Sequence, residues 1–264
     1  MDLDQADLSR RIAWRDLVAM RVRDGLAECL HPLPWLAASW WSAAHQLWLL
    51  AVPCSFMFFL TALRLNHEAI HGKLGFGPRG HRLALHALSA LMLGSNHAVA
   101  FNHMRHHAHL GTEKDVEGKA GRMSAWHVLA YGPIFPIEMH LSAWRDGGAG
   151  LRRRMRVDLA LNLLALGTAA AAESATLGYH FLVMGAAQCL TAFFAVWITH
   201  RHCHAHGLVA RTQRSRLINL ATYNMFLHLE HHLFPGVPVR RLDLLAARID
   251  AAFPALPAQA KRVI

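Results

Sequence analysis

Two long stretches of this chain carry almost no charge. Residues 33 to 63 contain no Asp, Glu, Lys or Arg, and residues 159 to 200 contain only Glu173. A helix that crosses a bilayer needs about 20 apolar residues, so runs of 31 and 42 residues are longer than any soluble core helix requires. The pattern predicts an all-α integral membrane bundle of about four transmembrane helices in two hairpins, forming one domain over residues 1–264. Read as one helix, residues 35 to 65 would reach about 47 Å, well past a hydrocarbon core of about 30 Å. Two shorter spans are therefore expected, with Pro53 marking either a turn or a kink. In the second stretch a span over 157–173, a turn over 173–178 and a return span over 179–199 are expected.

Between the hairpins the apolar pattern is broken and mixed. Gly72, Gly75, Gly77, Pro78 and Gly80 mark a loop. Residues 82 to 100 are apolar but interrupted by Arg82, His86, Ser95, Asn96 and His97, which suits a helix at the membrane interface. Residues 111 to 122 are turn-like, and residues 126 to 141 are apolar with Pro133 and Pro136, again suiting the interface. Residues 1 to 31 are charged, with Ile12, Ala19, Val22 and Leu26 at loose helical spacing. They fit an amphipathic helix on the membrane surface or a solvated one on the protein. Trp35, Trp40, Trp41 and Trp48 suit either interfacial anchors or bundle packing.

The net charge of +10 would suit a nucleic-acid binder if it formed one patch interleaved with aromatic residues. It does not. Arg10, Arg11, Arg15, Arg21 and Arg23 precede the first apolar stretch; Arg145, Arg152, Arg153, Arg154 and Arg156 precede the second; Arg201, Arg211, Arg214 and Arg216 follow it. Arginine on both flanks of both stretches is the positive-inside pattern of hairpins that return to the cytoplasm. It places the termini on the cytoplasmic side of an inner, multi-pass membrane protein. The four cysteines, at 29, 54, 189 and 203, form no C-x-x-C pair and indicate neither a disulfide framework nor a thiolate metal site. Asp2, Asp4 and Asp7 without an early apolar run argue against a cleavable signal peptide.

Chemistry enters with the histidines. Single ones in apolar or mixed surroundings, at 31, 45, 81, 86, 127, 140 and 180, are expected to be ordinary hydrogen-bonded residues. Eight others are grouped. His67 and His71 stand at i, i+4, and the sets His103, His106, His107 and His228, His231, His232 each have i, i+3, i+4 spacing. On a helix that spacing puts the rings on one face. Imidazoles so concentrated beside membrane spans, where ionisable groups are costly, point to metal, and eight ligands exceed the four a single zinc takes. Two metals fit the number, although imidazole alone does not choose between zinc, copper, iron and nickel. Glu68 and Glu230 lie inside two of the groups but point away from the ring faces. They are candidates for orienting a ring nitrogen or for plain solvated carboxylates.

The three groups, in this order and with an apolar two-span segment between the second and third, resemble the histidine boxes of the membrane fatty acid desaturase superfamily. Residues 230 to 238, Glu-His-His-Leu-Phe-Pro-Gly-Val-Pro, resemble that family's continuation after the third box, and the likeness covers residues 50 to 245 or so. It implies a non-haem di-iron centre, with O₂ as co-substrate and two electrons from outside, oxidising an unactivated C–H bond of a lipid-like substrate. It also implies a further ligand from the cytoplasmic end of the last span. His200 is chosen because it ends the apolar run; His202, His204 and His206 compete with it. Asp115, after the second box, resembles a family residue that hydrogen-bonds a ligand, or it caps a turn.

The substrate tunnel is expected between the spans, with Phe56, Phe58, Phe59, Phe193, Phe194 and Trp197 as wall candidates. No electron-transfer module is recognisable in the chain, so a separate donor, ferredoxin-like or similar, is expected to dock on the basic face. Fatty-acyl desaturation is the first reading, from the stretch His228 to Pro235. A carotenoid ketolase or hydroxylase is the alternative, from residues 194 to 201, and oxidation of a specialised small molecule stays open. A metal transporter or a non-catalytic metal-binding membrane protein is the reading from another class, but it calls for ligands along the spans rather than at one end.

Overall fold

The computed structural model describes residues 10–203, 209–254 and 262–263. Among these it is helical, with no strand and a single bridge between Thr212 and Arg262. Twelve α-helices matter here: α1 (Val22–Leu30), α2 (Pro32–Ala44), α3 (Trp48–Ile70), α4 (Pro78–Met92), α5 (Asn96–His109), α6 (Ala125–Tyr131), α7 (Ile134–Asp146), α8 (Ala149–Ala171), α9 (Ala175–His200, with π-helical Ala192–Trp197 inside it), α10 (Arg216–Ala221), α11 (His228–Leu233) and α12 (Leu242–Ala252).

The first apolar stretch is a helical hairpin, α2 against α3. The chain turns at Gln46, which takes a left-handed φ of 61°. Pro53 lies inside α3, in its second turn, where proline removes one hydrogen bond without stopping the helix. The second stretch is also a hairpin, but α8 starts at Ala149, earlier than the apolar pattern indicates, because the arginines at 152–156 continue the helix. Its turn is shorter than expected. Glu173 has φ 48°, and the Ser174 hydroxyl accepts from the Leu177 N–H and starts α9.

By length and composition α3 and α9 can each cross a membrane. At 23 and 26 residues they reach about 35 and 39 Å. The pair α4–α5, taken as one broken span, is a third candidate and is bent by 113°. This replaces the single interfacial helix expected over 82–100. Leu93 at φ 55° and Gly94 at φ 149° break the chain there, and Ser95 caps α5 by accepting from the Ala98 N–H.

Leu159, Leu163, Leu164 and Leu166 of α8 and Leu182 and Leu190 of α9 lie on the outside. That outward apolar face suits lipid rather than water. Trp41 and Trp48 are exposed on either side of the α2–α3 turn, as interfacial anchors are. Trp35 and Trp40 instead face inward: Trp35 Nε1 donates to the Tyr223 hydroxyl at 2.9 Å, and Trp40 packs edge-on against His180.

The isolated histidines behave as ordinary polar residues. His45 meets the Trp41 carbonyl, His180 the Leu91 carbonyl and His140 the Pro136 carbonyl. His86 and His97 both contact the buried Asp158 carboxylate, at 2.6 and 2.9 Å, and Ser95 Oγ donates to it at 2.6 Å. This cluster ties the α4–α5 break to α8. Asn162, one turn further along α8, donates to the Gly94 carbonyl and reinforces the same joint.

At the other end of the bundle a cap is built from both ends of the chain. Ile12 and Leu17 pack with Leu229, Leu233, Val239, Leu242, Leu245 and Ile249. Burying α11 and α12 against the N-terminal segment sets the third histidine box beneath the ends of α3 and α5.

Candidate metal centre

Each box reaches the centre for a local reason. α3 is long enough to leave the apolar zone, and its last turn carries His67, with His71 as its C-cap. The bend at Gly94 turns α5 so that His103, His106 and His107 of its last two turns face the same space. α11 is a short helix held inside the cap, and it presents His228, His231 and His232. α9 ends on His200.

The nine rings point their Nε2 atoms at one another in two groups. In the first, His67 lies 2.9 Å from His231, His71 3.0 Å from His103, and His107 is 3.3 Å from His103 and 2.9 Å from His231. In the second, His200 is 3.1 Å from His106 and 2.9 Å from His228, while His228 is 3.2 Å from His232. All eight box histidines and His200 are therefore brought together, five around one point and four around another. His202 is exposed, beyond the end of α9 at φ 58°, and His204 and His206 lie outside the described residues.

The donor set fits metal. Three rings have their Nδ1 held by an acceptor: His106 donates to Asp115 at 2.9 Å, His103 to Glu117 at 2.9 Å, and His200 to the Val209 carbonyl at 3.0 Å. A proton fixed on Nδ1 leaves the Nε2 lone pair bare. Bare lone pairs about 3 Å apart repel unless a cation lies among them. Burial, and then the neighbouring rings, hold His228, His231 and His232 well below the usual histidine range. The same causes, with His103 as the main neighbour, take His71 down to about 2. These four rings are thus neutral and ready to ligate at physiological pH.

The carboxylates divide unexpectedly. Asp115 accepts from His106 and also from the Gly118 and Gly111 backbone at 2.7 and 3.1 Å. Burial alone would raise its pKa, but the His106 hydrogen bond and those two N–H groups outweigh it and leave Asp115 below the usual carboxylate value. A Cβ at Gly118 would come 2.1 Å from Asp115 Oδ2, so that position has no room for a side chain.

Neither Glu68 nor Glu230 reaches a ring nitrogen at hydrogen-bond distance, and neither is solvated. Glu68 Oε1 stands 3.7 Å from His67 Nδ1 and accepts instead from the Val239 N–H at 3.1 Å. Glu230 accepts from Arg214 Nη2 at 2.6 Å and Thr212 Oγ1 at 2.7 Å. Both carboxylates pin the cap rather than the rings. Glu117 is the residue that sequence reasoning missed. Its only signal is its place two residues after Asp115, on the turn that follows the second box.

An apolar cavity of about 330 Å³ opens against both histidine groups. Phe56, Phe59 and Phe194 line it, with Leu60, Leu63, Met92, Phe135, Met139 and Phe226, and it meets the centre at His67, His103 and His228. Phe58, Phe193 and Trp197 are not in its wall; Phe58 is buried in the packing between α2, α3 and α4, and Trp197 Nε1 donates to the Met123 carbonyl.

Comparison with known proteins agrees with this geometry. A family model described as fatty acid desaturase matches residues 39–259. A β-carotene ketolase from Paracoccus sp. (strain N81106 / MBIC 01143) is 28% identical over 203 residues, covering 71% of this chain and 74% of that protein. No solved structure matches.

Proposed function

We propose, from the premise that the chain belongs to the fatty acid desaturase family, that it is a membrane oxidoreductase that uses O₂ to oxidise an unactivated C–H bond of a lipid-like hydrocarbon. The observation that carries this reading is the opening of an apolar cavity onto His67, His103 and His228 within a nine-histidine cluster. His67, His71, His103, His107 and His231 would hold one iron and His106, His200, His228 and His232 a second. When bound, the pair would supply O₂ activation with two electrons delivered from outside.

The remaining work falls to the chain. Asp115, Glu117 and the Val209 carbonyl keep three ligand rings in one tautomer and one orientation. Phe56, Phe59, Leu63 and Phe194 hold a methylene against the cluster and keep water out. Arg153 and Arg156 are exposed at the start of α8, and with the other arginines flanking the hairpins they support a cytoplasmic metal end and an acidic, ferredoxin-like electron donor.

Two finer readings differ in the product. Fatty-acyl desaturation rests on the stretch His228 to Pro235. Oxidation of a carotenoid ring to alcohol and ketone rests on similarity to the β-carotene ketolase across 74% of its length, and we favour it for that extent. Expressing the chain with a reductase and ferredoxin and comparing lipid and pigment extracts by mass spectrometry separates them. By atom counting, ketone formation adds about 14 mass units, hydroxylation about 16, and desaturation removes about 2. The purified protein should hold about two irons per chain. Full zinc occupancy with little iron and no O₂ consumption would overturn the enzyme reading.

A further inference from the structure

We propose that His86, His97 and Asp158 form a separate site for one divalent transition cation of the zinc class, structural in role, at the joint between α4, α5 and α8. The inference goes beyond the oxidative reading and does not depend on it.

Each helix supplies one ligand: His86 stands on α4, His97 on the first turn of α5 and Asp158 on α8. One nitrogen or oxygen of each lies within 4.8 Å of the other two. The carboxylate is engaged at both oxygens, with Oδ1 2.6 Å from His86 Nδ1 and Oδ2 2.9 Å from His97 Nδ1. Ser95 Oγ, 2.6 Å from Oδ2, offers a fourth donor. Two imidazoles, a carboxylate and a hydroxyl match the nitrogen and oxygen ligands, and the fourfold number, that zinc takes. With bonds of about 2.0–2.1 Å, donors around a tetrahedral ion stand about 3.4 Å apart, so each histidine–carboxylate pair needs to open by less than about 1 Å.

Charge favours an ion over a plain hydrogen-bonded joint. Asp158 is fully buried, and among the described residues its ion-pair partners are these two histidines rather than a lysine or arginine. Neutral rings leave that charge uncompensated in the interior, which is costly. A proton on His97 would answer it only by stranding a charged N–H, because His97 Nε2 is buried without a hydrogen-bond partner. A divalent cation meets the charge without ionising either ring, and the partly exposed His86 side chain leaves a way in. A proton on His86 is the competing cation.

The site is distinct from the nine-ring cluster. The His86 and His97 rings lie 4.3 Å apart, centroid to centroid, and among the described residues neither contacts a ring of the cluster. Neither they nor Asp158 line the cavity. His97 begins the helix that ends in the second histidine box, so an ion at this joint fixes the bend that aims His103, His106 and His107.

Zinc itself is the probe. The full chain, purified in detergent and loaded with iron, is dialysed against zinc, and both metals are counted per chain. Wild type should retain about one zinc more than His86→Gln at equal iron content. The glutamine amide can still donate to Asp158, so this variant keeps the joint hydrogen-bonded, and its iron content reports that it folds. Asp158→Asn should bind zinc at least about tenfold more weakly, since a ligand contributes no less than the outer partners whose loss costs that much. X-ray absorption at the zinc edge should show imidazole nitrogens at about 2.0–2.1 Å. Equal zinc in wild type and His86→Gln, zinc gained only as iron is lost, or a zinc edge without imidazole would overturn the proposal and leave a proton on His86 as the cation of the joint.

Discussion

Replacing Arg214 by Met should destabilise the cap. The Arg214 guanidinium donates to Glu230 Oε1 at 2.6 Å, to Asp250 at 2.8 Å through both Nε and Nη2, and to Thr212 Oγ1 at 2.7 Å. Glu230 is fully buried, and without Arg214 it keeps only the Thr212 hydroxyl. Leaving one member of a buried ion pair uncompensated costs about 3–5 kcal/mol. The Arg214 side chain is 27% exposed, so water can enter the space it vacates and the lower end, about 3 kcal/mol, applies. That is roughly a hundredfold in the folding equilibrium, or a fall in Tm of about 6–12 °C for a chain of this size.

Thermal unfolding in detergent, followed by tryptophan fluorescence, would read the fall. The iron content should drop with it, because Glu230 sits on α11 between His228 and His231. Adding Glu230→Gln to Arg214→Met should recover part of the loss, since the second change removes the stranded charge. An Arg214→Met protein that melts within 2 °C of wild type, or a double variant less stable than the single one, would refute the argument.

Asp115→Asn should lower iron retention against a chelator about tenfold to a hundredfold, since the amide cannot serve His106, Gly118 and Gly111 as the carboxylate does; unchanged iron per chain would count against that role. Gly118→Ala should act in the same direction through the clash with Asp115, and its stability can be compared by Tm. Metal-stripped protein should lose stability on acidification: the folded-state values of His71, His228, His231 and His232 lie below the unfolded value near 6.5, so the folded chain binds fewer protons than the unfolded one below that pH. The contribution of these rings is complete above about pH 6.5 and drains as pH falls, by up to about 1.4 kcal/mol per pH unit for each ring. Tm measured at pH 7.5 and 5.5 should therefore fall after chelation, and a flat or rising profile would contradict it. Deleting Ala195 should restore an α-helical register ahead of His200, rotate that residue by about 100° and reduce iron per chain.

The parts of this molecule that were legible in the sequence are those whose signal is local. Uncharged runs announced two hairpins, and i, i+3, i+4 spacing announced ligand faces, because both patterns follow from helix geometry alone. What escaped depends on contacts between distant segments. Glu230 has the composition of a residue that orients a ring, but its position on α11 turns it toward Arg214, which reaches it from a loop 16 residues earlier in the chain. Glu117 looked like any turn carboxylate until α5 was bent over it. The bend itself depends on one glycine and one left-handed leucine inside a stretch whose polar–apolar pattern suits a continuous helix.

His200 shows why a choice among four histidines could be made from position yet not explained by it. Leu182, Leu190 and Phe194 mark the outward face of α9, and a regular α-helix would carry that face on toward residues 197, 198 and 201. Val196 through His200 are instead all buried. Between the two zones lies the π-helical turn Ala192–Trp197, which takes one more residue per turn than an α-helix and so shifts the following register by about 100°. The shift turns a lipid-facing helix inward at its last turn. There the His200 ring meets His106 and His228, while its Nδ1 finds the Val209 carbonyl. Gly121 leaves room for this approach: a Cβ there would lie 2.9 Å from His200 Cβ. The ninth ring of the cluster is thus placed by backbone register and by a small residue in a separate loop, and neither is written in the spacing of histidines that makes the other eight visible.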